Sequence, residues 1–195
     1  MFSWGELPSN RRSMFSVAAR AGLSTPVVRV DAAIFEPARF FFIDEANRRV
    51  DGPVPGDVRD ALGRVGAGPV ASVVGRLRSG WVAVDVDVDG PLGDAVVELV
   101  CARLRAGGLR HVVRPSGGGP GRAHVVVACD RDGEGLVRSV AAEAAAWAGV
   151  PGSRVDCRRW LRPLSAPHRL GASPVPLSDP AVLLPDRVTG PAAER

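Results

Sequence analysis

The sequence predicts an α+β fold in which two helices cover one face of an antiparallel sheet. Between residues 81 and 158, apolar residues recur at every second position in four segments and at helical spacing in two others. The order of these segments is strand, helix, strand, strand, helix, strand, with glycine or proline between most of them. A chain of 195 residues, 46% hydrophobic and 24% charged, is large enough to bury a core around such a sheet.

The N-terminal portion, residues 1–80, has shorter and less regular elements. Residues 9–22 are typical of an amphipathic helix that begins at the N-cap Ser9 and ends at Gly22. Three apolar runs of strand length and a second short helix follow. They are strands at Val27–Val30, Arg39–Ile43 and Val70–Val74, and a helix at Gly56–Val65. We expect these elements to form an α/β unit that packs beside the main sheet.

From residue 81 the pattern is clearer. The first helix of this region begins at Pro91, a favoured first helical residue, and ends at Gly107. The predicted elements are strand 81–88, helix 91–106, strand 110–114, strand 123–129, helix 133–148 and strand 154–158. This order is that of the ferredoxin-like, or RRM-like, unit with right-handed crossovers. It places the strands in spatial order 4-1-3-2, so the first strand is central and both its neighbours run antiparallel to it.

The C-terminal stretch 172–195 is rich in proline, glycine and alanine and has no apolar periodicity. This composition is typical of a peripheral arm or linker. We therefore expect residues 1–171 to form a single domain, in which 1–80 pack beside the sheet region 81–171.

The composition excludes several classes of enzyme. All 25 basic residues are arginine, so the chain lacks the P-loop lysine and the lysine nucleophile of adenylate-forming ligases and Schiff-base enzymes. The absence of tyrosine excludes topoisomerases, relaxases and other enzymes that attack DNA with a tyrosine hydroxyl. The net charge of +4 and the pI of about 10.0 are compatible with an anionic partner.

The cysteines Cys101, Cys129 and Cys157 lie far apart and show no metal-ligand spacing. We interpret them as reduced thiols of a cytoplasmic protein and expect neither zinc nor an iron–sulfur cluster. The sequence has no apolar run of about 18 residues and no signal-peptide pattern at its N-terminus. We therefore expect no membrane partner.

The most unusual segment is the strand that carries Asp85, Asp87 and Asp89 at alternate positions. Side chains alternate across a strand, so the carboxylates are expected on one face, roughly 7 Å apart from one to the next. Aspartates in a row repel each other and are disfavoured in strands. Bound Mg²⁺ or Mn²⁺ would relieve this repulsion, and two such ions form the arrangement that phosphoryl transfer uses. The alternative is a solvated outer face of the sheet.

The predicted strand order brings other polar residues to the end of this strand. Its neighbours run antiparallel to it, so Arg122 and His124 at the start of one, and Asp156 early in the other, lie beside the aspartates. The glycine-rich turn Ser116–Gly121 is at the same end. Backbone N–H groups of such a turn approach phosphate oxygens closely, and Arg122 and His124 can bind a triphosphate. The sequence therefore predicts a two-metal nucleotidyl-transfer site.

Together these motifs resemble those of the archaeo-eukaryotic primase superfamily, and most closely the bifunctional primase-polymerase domains of plasmids, phages and integrated elements. The matching residues are Val84-Asp85-Val86-Asp87, Ser116-Gly117-Gly118-Gly119 with Arg122-Ala123-His124, Val155-Asp156, and Leu161 to Gly171, which resembles the loop after the third motif of that family. The likeness covers about 81–171. The second motif is longer than in the family, and Asp89 leaves open whether the first pair is Asp85 and Asp87 or Asp87 and Asp89.

The resemblance implies an RRM-like palm that makes or extends primers on a single-stranded DNA template from NTPs or dNTPs, in replication of a mobile element, with two Mg²⁺ or Mn²⁺ ions. The implied catalytic and metal-binding residues are Asp85, Asp87 and Asp156, with Asp89 as a further candidate ligand. The implied nucleotide-binding residues are Ser116, Gly117, Arg122, His124, Arg162 and His168. The implied DNA-binding residues are Arg158, Arg159 and Arg169. A helicase or replication initiator would be supplied in trans.

Three other functions stay open on the same fold. An RRM-type RNA-binding module would stack bases on aromatic residues of the first and third strands, which here carry no phenylalanine or tyrosine. A nucleotide cyclase would share the carboxylates of the first strand but not the glycine-rich turn with His124. A non-catalytic subunit of a replication-initiation complex would require neither feature.

Overall fold

The computed structural model describes residues 26–50, 56–170 and 176–184. The predicted helix at 9–22 lies outside these residues. The described chain has an α+β fold with two antiparallel sheets. Its helices are α1 (Pro26–Ile34), α2 (Val58–Gly63), α3 (Gly90–Ala106) and α4 (Arg131–Trp147). Its strands are β1 (Phe35–Ile43), β2 (Ser72–Leu77), β3 (Trp81–Val86), β4 (Arg110–Pro115), β5 (Ala123–Ala128), β6 (Val155–Arg158) and β7 (Trp160–Leu161). Short 3-10 helices span Gly152–Arg154 and Pro180–Leu183.

Among the described residues, no helix combines the length and apolar character needed to cross a membrane.

The first sheet has the strand order β4-β5-β3-β6, and all its pairs are antiparallel. β3 therefore lies between β5 and β6, as the order of elements predicts. Valines at alternate positions, such as Val84 of β3 and Val125 of β5, belong to a core with Val100 of α3 and Val140 of α4. The two helices thus cover one face of this sheet, and the apolar alternation of the strands selects that face.

The second sheet has the strand order β1-β2-β7 and covers part of the other face of the first. Phe40 and Phe42 of β1 share a core with Ala83 of β3 and Val126 of β5. A single run of chain passes from β6 in the first sheet to β7 in the second. On this face of the first sheet, the apolar contacts with the second sheet extend along β3 as far as Ala83. The next residue of β3 on the same face is the polar Asp85.

The predicted strand at Val27–Val30 is wrong, because these residues belong to α1. A four-residue apolar run fits either a strand or a buried turn of helix, so its pattern alone does not distinguish the two. Pro26 occupies the first helical position, and Asp31 and Ile34 continue the buried face at helical spacing. The helix is therefore defined by the residues on either side of the apolar run.

The other elements of the N-terminal portion occur with shifted bounds. The predicted strand at Arg39–Ile43 is the second half of β1, and the one predicted at Val70–Val74 begins two residues later as β2. The helix predicted at Gly56–Val65 shortens to α2, because Asp57 caps its N-terminus by accepting two backbone hydrogen bonds. These shifts are local and leave the order of the elements unchanged.

Part of the predicted C-terminal arm packs against the first sheet. Leu177 donates its backbone N–H to the carbonyl of Val113 in β4 at 2.8 Å. Leu183 is fully buried, and its carbonyl accepts the indole N–H of Trp81 at 3.3 Å. Residues 176–184 therefore cover the outer edge of β4, a position at which an exposed strand would invite association.

Candidate functional site

Four polar side chains form a row across the first sheet, one from each strand. Arg114 of β4 is opposite His124 of β5. Asp85 of β3 lies between His124 and Asp156 of β6, and is the register partner of both. Directly opposite residues project to the same face. The row therefore joins three predicted site residues that are distant in the sequence.

The row lies where the second sheet stops covering the first. In the preceding row, Val126 and Ala83 are buried in the core between the sheets. Within the polar row, burial falls from β4 to β6. Arg114 is fully buried, His124 is buried, Asp85 is partly exposed and Asp156 is exposed. One end of the row is thus core and the other is open to a ligand.

The carboxylate of Asp85 is contacted from two sides. Its Oδ1 lies 3.4 Å from Nε2 of His124, and its Oδ2 lies 3.1 Å from Nε of Arg158. Burial raises the pKa of Asp85; Arg158 opposes this shift, and the charges of Asp87 and Asp156 add to it. Ionised carboxylates in this arrangement destabilise each other, which is the condition that a bound cation relieves.

Asp87 and Asp89 share the guanidinium of Arg122. Nη1 of Arg122 lies 2.6 Å from Oδ1 of Asp87. Arg122 also binds both oxygens of Asp89, through Nε at 2.6 Å and Nη2 at 2.8 Å, and this pair lowers the pKa of Asp89. Asp89 therefore points to the hairpin loop, whereas Asp85 faces Asp156. Asp87 and Asp89 are thus held by the same guanidinium, and Asp85 is not.

The three aspartates Asp85, Asp87 and Asp156 offer the oxygen ligands that a hard cation takes. Asp85 and Asp156 are register partners, and Asp87 follows Asp85 on the same face. As the side chains stand, the described residues contain no group of three or more His, Cys, Asp or Glu that could hold a metal ion. The carboxylates would have to turn away from Arg122 and Arg158 to meet at an ion.

The hairpin loop between β4 and β5 is organised by Ser116. Its Oγ accepts the N–H of Gly118 at 3.2 Å, and its own N–H donates to the carbonyl of Arg122 at 2.9 Å. Gly117 has a φ of +77°, and a Cβ at this position would lie 2.9 Å from Cβ of His168. Both the backbone conformation and the close contact require glycine here.

Arg162 and His168 connect this loop to the chain that follows β7. Arg162 donates through Nη2 to the carbonyl of Ser116, and through Nη1 to the carbonyl of Pro167 at 3.5 Å. Burial and the like charge of Arg114 lower the pKa of Arg162 to about 9. Burial and the charge of Arg162 lower the pKa of His168 to about 4, so this ring is neutral at physiological pH.

His124 and Arg114 are buried with polar atoms that lack partners. Burial, together with the charge of Arg114, lowers the pKa of His124 well below its ordinary value. The ring is therefore neutral, and its contact with Asp85 is not an ion pair. Within the described part of the chain, Nδ1 of His124 and Nε and Nη1 of Arg114 have no hydrogen-bond partner. Such atoms are rare in folded proteins, and an ordered water or a bound ligand would satisfy them.

The three arginines predicted to bind DNA contact other parts of the protein. Arg158 lies on Asp85, Arg159 binds Glu134 of α4, and Arg169 donates to the carbonyl of Glu45. Arg158 and Arg159 keep 47% and 32% of their side-chain surface exposed, so both can still be reached by a ligand. Their partners come from distant elements, which a sequence pattern does not reveal.

Two buried residues of the site are not indicated by the predicted motifs. Asp31 of α1 accepts the N–H groups of Leu164 and Ser165 at 2.8 Å each and the Ser165 hydroxyl at 2.5 Å. Burial raises the pKa of Asp31 to about 6. Arg114 donates through Nη2 to the carbonyl of Ala166 in the same segment. Arg114 has a signal in the sequence, a basic residue on the core side of an apolar strand, whereas Asp31 has none.

No model of a known protein family matches the chain, and no curated protein matches it either. The chemistry of the site is therefore the basis for a functional assignment.

Proposed function

We propose that the protein is a primase-polymerase of the archaeo-eukaryotic type, in which the first sheet with α3 and α4 is the RRM-like palm. It would join nucleoside triphosphates to a primer end on single-stranded DNA, with Mg²⁺ or Mn²⁺ as cofactor, in replication of a mobile element. The observation that carries the proposal is the position of Asp85 between His124 and Asp156. Three motifs that are far apart in the chain thereby meet at the end of one strand.

Asp85, Asp87 and Asp156 are the residues that would hold two ions. When bound, the ions would lower the pKa of the primer 3′-hydroxyl and stabilise the pyrophosphate that leaves. Asp85 would gain most from a cation, because it is the partly buried carboxylate whose pKa burial and its acidic neighbours raise.

Two guanidinium groups flank the glycine-rich turn and would bind the triphosphate. Arg122 contacts Asp87 on one side of the turn, and Arg162 binds the carbonyl of Ser116 on the other. Guanidinium groups bind phosphate oxygens by charge-assisted, often bidentate, hydrogen bonds. The arginines would therefore supply the positive charge that this ligand requires.

His124 and His168 would orient the ligand rather than add charge. Both rings are neutral at physiological pH, because burial and nearby arginines lower their pKa values. A neutral imidazole offers one donor and one acceptor. The unpartnered Nδ1 of His124 is a group that a bound nucleotide or an ordered water would satisfy.

A primer-synthesis assay on single-stranded DNA tests the proposal. Wild type with Mn²⁺ or Mg²⁺ is expected to incorporate labelled nucleotides, and Asp85→Ala, Asp87→Ala and Asp156→Ala are each expected to lose incorporation. Asp94→Ala removes an exposed carboxylate from α3 and is the matched control that keeps full activity. Incorporation retained in two of the three site variants would refute the assignment.

One observation favours a second function, a nucleic-acid-binding subunit without catalysis. Arg122 and Arg158 already contact Asp85, Asp87 and Asp89, so these charges are compensated without a metal ion. This function predicts that wild type binds single-stranded DNA and incorporates nothing with either cation. The same assay therefore separates the two functions.

A further inference from the structure

The outer face of the second sheet carries an aromatic pair, of which Phe41 is partly exposed and Trp160 is exposed. The rings of Phe41 in β1 and Trp160 in β7 approach with centroids 5.5 Å apart and planes inclined by 45°. They project away from the core, since Phe40, Phe42 and Leu161 at the adjacent positions are buried. Trp160 is 43% exposed, which is unusual for the largest apolar side chain.

Two arginines lie beside this aromatic pair. The guanidinium of Arg49 lies over the ring of Phe41, 5.1 Å from its centroid. Arg76 of β2 is the register partner of Trp160, and its side chain is 40% exposed. We call Phe41, Arg49, Arg76 and Trp160 the outer platform. Glu36 lies 3.6 Å from Nη1 of Arg76, whose side chain stays partly exposed beside the rings.

The outer platform is close along the chain to the candidate active site. Trp160 is two positions after Arg158, which contacts Asp85, and four positions after Asp156. Four residues of extended chain span roughly 14 Å at most. A strand of nucleic acid that leaves the site along β6 would therefore reach Trp160 within a short distance.

We infer that the outer platform stacks bases of single-stranded DNA as it enters or leaves the candidate active site. An exposed aromatic ring flanked by guanidinium groups binds single strands without regard to sequence, because every base has a π-face and every phosphate a charge. That the bound strand is the template rests on the proposed function, whereas the binding itself requires no catalysis.

Fluorescence anisotropy with a labelled oligothymidylate, without divalent ions, tests the outer platform. Trp160→Ala is expected to weaken binding by about fivefold to a hundredfold, the loss expected when one stacked base is released. Trp147→Ala is the matched control, because Trp147 is 58% exposed on the helical side of the molecule. It is expected to bind like wild type. Equal affinities of Trp160→Ala and wild type, or an equal loss in both variants, would overturn the inference.

Two further variants and a control keep the test independent of how well Trp160→Ala folds. Trp160→Phe retains an aromatic face and is expected to bind within about threefold of wild type. Arg76→Ala is expected to flatten the slope of log K against log salt by about 0.7, the value for one phosphate contact on a single strand. Arg105→Ala, at the exposed end of α3, is expected to leave the slope unchanged. An unchanged slope in Arg76→Ala together with tight binding by Trp160→Ala would contradict the inference.

The outcomes separate this inference from the proposed function. Normal DNA binding that requires Trp160, with no nucleotide incorporation by wild type, would support the outer platform and refute catalysis. Nucleotide incorporation by wild type, with equal DNA affinities of wild type and Trp160→Ala, would support catalysis and refute the outer platform. If Trp160→Ala instead converts a dimer to a monomer in sedimentation and leaves DNA affinity unchanged, the outer platform is a contact between copies of the chain and the inference is wrong.

Discussion

At the scale of single residues, the candidate site is a problem of charge compensation. On its open side, the carboxylates of Asp85, Asp87 and Asp89 contact arginines. On its buried side stand four basic side chains whose pKa values are lowered by burial and, for all but Arg114, also by neighbouring basic groups; they are Arg114, His124, Arg162 and His168. Cations would relieve the first group and phosphate oxygens the second. A metal-bound nucleotide supplies both kinds of charge at once.

Replacing Asp85 by asparagine separates its charge from its shape. We expect Asp85→Asn to abolish nucleotide incorporation, because the amide is a poor ligand for Mg²⁺. Without metal at neutral pH, the thermal midpoint is expected to stay the same or rise. Burial raises the pKa of Asp85, so the stability that this group contributes at low pH is lost once it ionises, and asparagine has no charge to bury.

Differential scanning fluorimetry without metal and the primer assay with metal measure the two effects. Asp94→Asn on α3 is the control, with unchanged activity and midpoint. A large fall in the metal-free thermal midpoint of Asp85→Asn would instead show that Asp85 stabilises the fold through its contact with Arg158.

The sequence predicts the acidic residues of the site better than their surroundings. Asp85 and Asp87 stand out because aspartate is disfavoured in strands, yet here it alternates with β-branched valine. The position of Asp156 beside them is predicted from the strand order. The contact between Arg158 and Asp85 depends on the register of β6. The burial of His124 depends on where the second sheet ends. Neither property is encoded locally, so no motif reveals it.

At the scale of elements, the hairpin loop between β4 and β5 is the part most sensitive to a small change. Gly117→Ala places a Cβ at a φ of +77° and against His168, so we expect a loss of about 1–2 kcal/mol in the free energy of unfolding. We also expect weaker nucleotide binding, because His168 must move to admit the methyl group.

Gly118→Ala is the matched control for this change. A Cβ on Gly118 would have its nearest neighbour, Oγ of Ser116, at 3.4 Å, an ordinary contact distance. Urea denaturation and nucleotide titration of the two variants provide the comparison. Similar behaviour of both alanine variants would show that the packing of the loop on His168 does not matter.

The elements of the first sheet are predictable because their apolar alternation is regular and glycine or proline marks their ends. The N-terminal portion is harder, since its apolar runs are short. Val27–Val30 satisfies a strand pattern, yet the run folds as α1 because Asp31 and Ile34 extend the same buried face. β7 has two residues and pairs through its position after β6, so no pattern of its own predicts it.

At the scale of the whole molecule, one segment after β7 is held from both sides of the fold. Asp31 of α1 accepts hydrogen bonds from Leu164 and Ser165, and Arg114 of β4 donates to the carbonyl of Ala166. The segment that carries Arg162 and His168 is therefore fixed jointly by the N-terminal portion and the first sheet. Its position depends on the docking of these two parts.

The buried carboxyl of Asp31 gives this docking a pH dependence. Its pKa is raised from 3.8 to about 6, so the folded state holds the proton more tightly than the unfolded state. The stability contributed in this way is full below about pH 4 and is lost as the pH rises through about 6. Between about pH 5 and pH 7.5, the free energy of unfolding of wild type, relative to that of Asp31→Asn, is expected to fall by about 1 kcal/mol.

Urea denaturation of wild type and Asp31→Asn at both pH values measures this difference, with Asp94→Asn as the control that follows wild type. The asparagine variant has a lower stability overall, because its amide group cannot accept all three hydrogen bonds. Parallel pH profiles of wild type and Asp31→Asn would contradict the assignment of the raised pKa.

The passage of the chain from β6 in one sheet to β7 in the other also affects how the protein is made. The hairpin of β1 and β2 leaves the ribosome early. The strand β7, which pairs with β2, and the first sheet, which covers Phe40 and Phe42, are synthesised much later. Isolated two-stranded hairpins are marginally stable, and an open edge beside an apolar face favours aggregation. We therefore expect nascent chains that end before Trp160 to be substrates of ribosome-associated chaperones, and release from them to coincide with the emergence of β7.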